Sequence, residues 1–140
     1  MRFVTLVLSA VITLGSSPSK AEEAHPELSI QINAINQEAT SCRLTFLVYN
    51  AMGMDLESAV FETVLFDTNG SVLTLTLFDF GALPQDRSRV RQFDLADIDC
   101  ASVGGVLLNG AHACEGTGVD ASACDAALAL STRTEVELLG

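Results

Sequence analysis

Residues 59–78 read AVFETVLF-DTNG-SVLTLTLF, and this stretch decides the fold class. The two runs are rich in β-branched and aromatic residues, and the DTNG between them tolerates the positive φ angles of a tight turn. The first run is apolar on both sides except for Glu62 and Thr63, which indicates a central strand. In the second run, leucines alternate with Val72, Thr74 and Thr76. The stretch therefore predicts a β-hairpin.

Alternation of apolar and polar residues extends this pattern along the chain. Further strands are predicted at 28–34, 42–49, 89–95, 103–113 and 128–138, with a loop at 81–86 and a short helical turn capped by Asp120. Seven strands in about 110 residues are typical of an immunoglobulin-like antiparallel β-sandwich. The predicted class is all-β, with a small open β-barrel as the alternative.

The first 21 residues have the character of an export signal. Arg2 precedes an apolar run from Phe3 to Leu14, which is shorter than the roughly 20 residues that span a bilayer. The small-residue exit predicts cleavage after Ala21 and general secretion to the periplasm or beyond, with no stable membrane insertion afterwards. A flexible mature N-terminus at 22–27 and a single sandwich domain at 28–140 are expected to follow.

The charge balance narrows the classes of partner. The chain has 18 acidic and 7 basic residues, and loss of Arg2 and Lys20 with the signal leaves a net charge of −13. Such a charge repels nucleic acid and anionic lipid headgroups. No nucleic-acid partner is expected, and another envelope protein is the favoured partner.

Four cysteines, all beyond the predicted signal, indicate structural disulfides. They allow three pairings. In the predicted strand order Cys42 and Cys100 lie at one end of the sandwich, and Cys114 and Cys124 lie at the other, if the last strand pairs antiparallel with its predecessor. The preferred pairs are therefore Cys42–Cys100 and Cys114–Cys124. No C-x-x-C or zinc-type spacing is present, so redox and metal roles are disfavoured.

Three arginines form a candidate partner-binding stripe. Arg87, Arg89 and Arg91 recur at every second residue, so they share one strand face if Arg87 already belongs to the strand. Guanidinium groups bind carboxylates and phosphates through paired hydrogen bonds. The alternative interpretation is an edge strand protected by charge, or arginines paired with glutamates across the sheet.

No catalytic constellation is evident, and no catalytic residue, metal or cofactor is predicted. His25 lies in the expected N-terminal segment, and His112 has no nucleophile elbow or comparable signature near it. Asp94, Asp97 and Asp99 match no calcium loop. The competing hypotheses are a small periplasmic enzyme, either a thiol-disulfide protein or a His112-centred hydrolase, and a small-ligand carrier with a cavity between the sheets.

One part of the chain resembles a known family. The residues concerned are Asn50, Leu56, Thr63-Val64-Leu65-Phe66-Asp67, Gly70, Val72, Leu83-Pro84 and Phe93. This pattern, over about residues 50–95, resembles the FxLYD type of bacterial sandwich domain, with Thr63 and Phe66 in place of the phenylalanine and tyrosine of the motif. The resemblance implies an extracytoplasmic sandwich used as a module, and it brings no catalytic residues. The expected function is an exported, non-catalytic protein-interaction module.

Overall fold

The computed structural model describes residues 22–140, and the predicted signal at 1–21 lies outside the described residues. Residues 22–26 have no regular secondary structure. The described strands are β1 (Glu27–Glu38), β2 (Ser41–Ala51), β3 (Leu56–Asp67), β4 (Val72–Leu83), β5 (Ser88–Ala96), β6 (Val103–Gly116), β7 (Leu128–Thr132) and β8 (Glu137–Leu139). A 3-10 helix (Cys100–Ser102) precedes β6, and one α-helix, α1 (Ala121–Ala127), follows it.

The strands form two four-stranded sheets that pack face to face. The first sheet has the order β5-β2-β1-β7, and the second has the order β4-β3-β6-β8. The predicted all-β sandwich is therefore confirmed, whereas the barrel alternative is not. The predicted hairpin is the β3–β4 pair, in which Val64 lies opposite Leu75.

Five phenylalanines join the two sheets. Phe46 and Phe93 come from the first sheet, whereas Phe61, Phe78 and Phe80 come from the second. The ring of Phe46 meets the rings of Phe78, Phe80 and Phe93 edge-on, at centroid distances of 5.7, 5.5 and 5.8 Å. Phe78 and Phe93 stack at 4.1 Å. Aromatic side chains thus fill much of the space between the sheets.

The loop predicted at 81–86 begins later than expected. β4 continues to Leu83 because the chain forms a bulge, with Gly81 at a φ of 66° and its N–H donating to Asp79 Oδ1 at 2.8 Å. A bulge inserts an extra residue without ending the strand, and glycine adopts positive φ without steric cost. The extension brings Leu83 into the core.

The single strand predicted at 128–138 is wrong, because the chain changes sheets within it. β7 pairs parallel with β1 in the first sheet, and β8 pairs parallel with β6 in the second. Between them, the N–H of Thr134 donates to Thr132 Oγ1 at 3.0 Å, and that of Val136 donates to Thr134 Oγ1 at 3.1 Å. These local bonds stabilise a turn where alternation predicted a strand. The described residues therefore form eight strands with two parallel edge pairs, instead of seven antiparallel strands.

Two disulfides connect the elements, and they are the pairs favoured from the sequence. Cys42 is bonded to Cys100 with a Cα–Cα distance of 4.9 Å, and Cys114 to Cys124 with one of 6.1 Å. The second pair forms for a different reason from the one expected. It joins the end of β6 to α1, rather than two neighbouring antiparallel strands.

The short helix begins at the predicted cap. The side chain of Asp120 accepts hydrogen bonds from the N–H of Ala123 at 3.0 Å and the hydroxyl of Ser122 at 2.7 Å. These bonds stabilise the carboxylate and lower the pKa of Asp120. The cap orients α1 so that Cys124 and Ala127 are buried.

No helix within residues 22–140 has the length and apolar character needed to cross a membrane.

Candidate interaction surface

The outer face of the second sheet carries a row of apolar side chains that crosses all four strands. Leu75 of β4 is in register with Val64 of β3, Val64 with Leu107 of β6, and Leu107 with Leu139 of β8. We call these four residues the apolar row. Leu75 and Leu139, at its ends, are 59% and 46% exposed, whereas Val64 in the middle is 8% exposed because its neighbours cover it.

This face holds most of the exposed large apolar side chains in the described part of the chain. Seven such residues are exposed, and five of them lie on β4 and β8: Val72, Leu73, Leu75, Leu77 and Leu139. Val72 belongs to this face because a bulge at Leu73 places it opposite Phe66. The other two, Tyr49 and Val90, belong to the first sheet. Single exposed leucines are ordinary, but a contiguous apolar face marks an interaction site or an aggregation hazard.

The leucines of β4 point outward because phenylalanines occupy its inner face. Phe78 and Phe80 are buried in the core, and Thr74 and Thr76 share their face because strand side chains alternate with a period of two. Leu73, Leu75 and Leu77 therefore lie on the opposite side. Sequence reasoning missed this surface, since alternating leucine and threonine normally place leucine inside. The signal that identifies it is the shared parity of both threonines with both phenylalanines.

Acidic side chains flank the apolar row. Glu62 lies two residues before Val64 on β3, and Glu137 lies two residues before Leu139 on β8. Asn109 Nδ2 donates to Glu62 Oε1 at 2.6 Å. The four strands of this sheet contain six acidic residues and no lysine or arginine. The surface is thus apolar in the middle and negative at its borders.

A groove of about 580 Å³ adjoins the row between the β3–β4 turn and β8. Phe66 and Leu139 supply apolar walls, and Asp67, Glu135 and Glu137 supply carboxylates. Gly105 also lines it, where the absence of a side chain leaves space. This combination suits a lysine or arginine side chain, whose aliphatic stem can pack on apolar walls while its charge meets the carboxylates.

Two adjacent glycines next to this groove are expected to respond differently to alanine. A Cβ on Gly104 would lie 2.6 Å from the backbone oxygen of Asp67, whereas one on Gly105 would meet only Phe66 at 3.9 Å or more. We expect Gly104→Ala to lower the free energy of unfolding by about 2 kcal/mol through overpacking. Gly105→Ala should leave it unchanged or raise it by about 0.5 kcal/mol. Equilibrium urea unfolding of both variants measures the difference, and equal effects would contradict this account.

The three arginines do not form the stripe predicted from the sequence. β5 begins at Ser88, so Arg87 lies outside the strand. Arg89 and Arg91 share a face with Leu95, which is the face turned toward the second sheet. Arg91 Nε donates to the carbonyl oxygen of Phe80 at 2.6 Å, and Nη2 donates to that of Ala82 at 3.0 Å. Arg91 thus links the edges of the two sheets instead of presenting its guanidinium to a partner.

Arg43 has its own carboxylate partner on the outer face of the first sheet. Its Nε donates to Asp94 Oδ1 at 2.7 Å, and its Nη2 donates to Oδ2 at 3.0 Å. The hydrogen bond from Arg43 lowers the pKa of Asp94. The pair therefore stabilises the fold above the usual pKa of aspartate, and this stabilisation is lost as the pH falls through the lowered pKa.

The other two aspartates of this stretch, Asp97 and Asp99, do not join Asp94 in a metal site, and Asp99 instead caps the 3-10 helix. Within residues 22–140 no cluster of three histidine, cysteine or carboxylate groups suited to a metal is found.

The histidines and cysteines occupy separate places. His112 is exposed on β6 and lines a depression with Glu62, Asn109 and two small residues, and none of them has a hydroxyl or thiol group. His25 lines a different pocket, beside Met52 and Met54.

In the described part of the chain every cysteine is disulfide-bonded. One cysteine of each bridge is fully buried: Cys42 in the first and Cys124 in the second. Burial hinders the attack of an external thiolate on these bridges.

Comparison with known proteins does not indicate which of these features has a function. Comparisons of the chain with protein-family models, curated proteins and solved structures give no match. A function is therefore inferred from the exposure, the register and the charge of the apolar row and its borders.

Proposed function

We propose that this protein is an exported, non-catalytic interaction module, and that its partner docks on the apolar row of the second sheet. The observation that carries the proposal is the unbroken register of Leu75, Val64, Leu107 and Leu139 across four strands on an exposed face. Covering such a face removes apolar surface from water, which is favourable by about 25 cal/mol per Å². Because the row lies on a packed sheet, little conformational entropy is lost when a partner binds.

The charges around the row define the chemistry of the partner. Glu62 and Glu137 border it, and the adjoining groove is lined by three carboxylates without a cation. A protein segment with apolar side chains flanked by lysine or arginine complements this surface. The same charges disfavour nucleic acid and anionic lipid.

The proposed location is the periplasm or the extracellular space. Two disulfides are compatible with an oxidising compartment, because cytosolic thiols are kept reduced. The N-terminal pattern that predicts export is the second support for this location. The partner is accordingly another envelope protein or a secreted one.

Binding of short synthetic peptides tests the proposal. We expect a peptide of alternating leucine and lysine to bind the oxidised protein in a fluorescence anisotropy titration. A serine-lysine peptide lacks the apolar groups and a leucine-glutamate peptide has the wrong charge, so both should bind weakly. Leu107→Glu should weaken binding of the leucine-lysine peptide by at least about tenfold, because it puts a charge in the middle of the row.

Gln92→Glu is the matched control for this variant. It adds the same charge on the outer face of the first sheet, where Gln92 Nε2 donates to Thr45 Oγ1. It should leave peptide binding unchanged. Equal binding of the serine-lysine peptide, or full binding by Leu107→Glu, would overturn the proposal. So would co-sedimentation with phosphatidylcholine vesicles that Leu107→Glu abolishes, since the face would then be a membrane-binding one.

A further inference from the structure

The free edge of β4 is closed along one half and open along the other. β4 is the outer strand of the second sheet. From Asp79 onward, the edge is closed by the bulge at Gly81 and by Arg91, which occupies the carbonyl oxygens of Phe80 and Ala82. From Val72 to Leu77 the edge carries no charged residue, no proline and no glycine, and the pairing with β3 is regular from Thr74 onward, after a bulge at Leu73.

This open half lacks the charge and proline that protect many edge strands, and its one protective feature is a bulge at Leu73, near its start. Natural edges are blunted by charge, proline, bulges or short length, because unpaired N–H and C=O groups otherwise pair with another strand. Here four of the six side chains are exposed and apolar: Val72, Leu73, Leu75 and Leu77. The segment is thus a template for strand addition, the mode in which a further strand extends a sheet.

The sequence of the segment is complementary to itself. Residues 73–77 read LTLTL, which is symmetric about Leu75. When two copies pair antiparallel about a twofold axis at Leu75, that residue faces its own counterpart. Leu73 then faces Leu77 of the second copy, and Thr74 faces Thr76. Each of these contacts occurs twice, as an isologous interface requires, and the leucines of both copies lie on one face with the threonines on the other.

The charges permit this arrangement. Residues 71–78 are uncharged, and the nearest acidic residue, Asp79, is placed opposite Ser71 of the second copy. No like charges therefore face each other along the paired segment. The pairing also places the exposed end of the apolar row, Leu75, against an identical end, so that the row continues from one copy into the other.

We propose that two copies of this chain associate through antiparallel pairing of residues 73–77 of β4, with the twofold axis at Leu75. The two second sheets then form one continuous eight-stranded sheet. This goes beyond the proposed function, because it uses the edge of β4 instead of the middle of the sheet face. The acidic copies repel each other at long range, so association strengthens as salt screens that repulsion.

Cysteine cross-linking tests the register of the pair. Leu75→Cys puts two thiols face to face at the axis, and we expect it to form a covalent dimer under mild oxidation. Leu73→Cys is the matched control, since its two thiols lie on opposite sides of the axis at about 14 Å. It should not cross-link by itself, but mixing it with Leu77→Cys should give a covalent heterodimer. Peptide mapping confirms that the native bridges are retained.

Sedimentation velocity tests the association without added thiols. We expect the wild-type protein to sediment as a dimer at high concentration in physiological salt, with the dissociation constant decreasing as salt is raised. Leu75→Lys should raise this constant by at least about tenfold, because two like charges then face each other. Leu107→Glu should remain dimeric, since it lies away from the edge.

Two outcomes would overturn this inference. One is a wild-type monomer at every concentration and salt, and the other is cross-linking of Leu73→Cys as efficient as that of Leu75→Cys. Neither affects the proposed function, which depends on Leu107 and on peptide binding. Conversely, loss of peptide binding with the Leu75→Cys cross-link retained would remove the docking surface and keep the dimer.

Discussion

Replacing Phe46 by alanine is expected to lower the free energy of unfolding by about 4 kcal/mol. Phe46 is fully buried, and its ring meets three others, one on the first sheet and two on the second. Truncation removes the transfer free energy of the ring and leaves a cavity that neighbouring rings fill incompletely. Because a domain of this size is stable by about 5–15 kcal/mol, the loss is a large part of the total.

Phe66→Ala is the matched control for this prediction. Phe66 lies on β3 but lines the surface groove and is half-buried, so its truncation opens no internal cavity. It should cost less than half as much as Phe46→Ala. The chain has one tyrosine and no tryptophan, so urea unfolding is best followed by far-ultraviolet circular dichroism. Equal losses for the two variants would show that the aromatic cluster does not hold the sheets together.

Removing the Cys42–Cys100 bridge is expected to have a similarly large effect. The bridge joins residues separated by 58 positions, and on the chain-entropy model such a loop contributes about 4 kcal/mol. The bridge ties the start of β2, in the first sheet, to the 3-10 helix that leads into β6 of the second. Without it, the unfolded chain gains conformations that the oxidised chain cannot adopt.

The Cys114–Cys124 bridge supplies the comparison within the same molecule. Its partners are separated by 10 positions, so the same model assigns it about 3 kcal/mol. We expect Cys42→Ala with Cys100→Ala to lose about 1–1.5 kcal/mol more than Cys114→Ala with Cys124→Ala, by urea unfolding at low temperature. A larger loss for the short bridge would mean that packing around Cys124, and not loop entropy, dominates.

Much of the fold could be predicted from local sequence patterns. The DTNG turn, the alternation of β1, β2 and β5, and the Asp120 cap all depend on neighbours along the chain, and the structure has each of them. The Cys42–Cys100 pair could also be predicted, because the start of β2 and the approach to β6 meet at one end of the sandwich, whereas Cys114–Cys124 was predicted from an antiparallel strand pair that the structure does not have. These features require little knowledge of long-range register.

The candidate interaction surface could not be predicted from the sequence in the same way. The arginines recur with the period of a strand, which predicted a charged stripe. The guanidinium of Arg91 instead donates hydrogen bonds to carbonyl oxygens of β4, in the opposite sheet. The alternation of leucine and threonine in β4 does not by itself show which side faces the core, and it is the phenylalanines after them that occupy the inner face. Residues 128–138 were predicted as a single strand. In the structure, hydrogen bonds to the hydroxyls of Thr132 and Thr134 stabilise a turn there, and the chain passes from one sheet to the other.

The sequence by itself determined the all-β class, the hairpin at its centre and the acidic, disulfide-bonded character of the protein. It did so because turn chemistry, alternation and composition act within a few residues. The tertiary structure alone decided which face of β4 is buried, which sheet receives each half of the C-terminal strand, and where the apolar row becomes continuous. Those outcomes depend on register between strands far apart in sequence, and a shift of one residue would move every side chain to the other face.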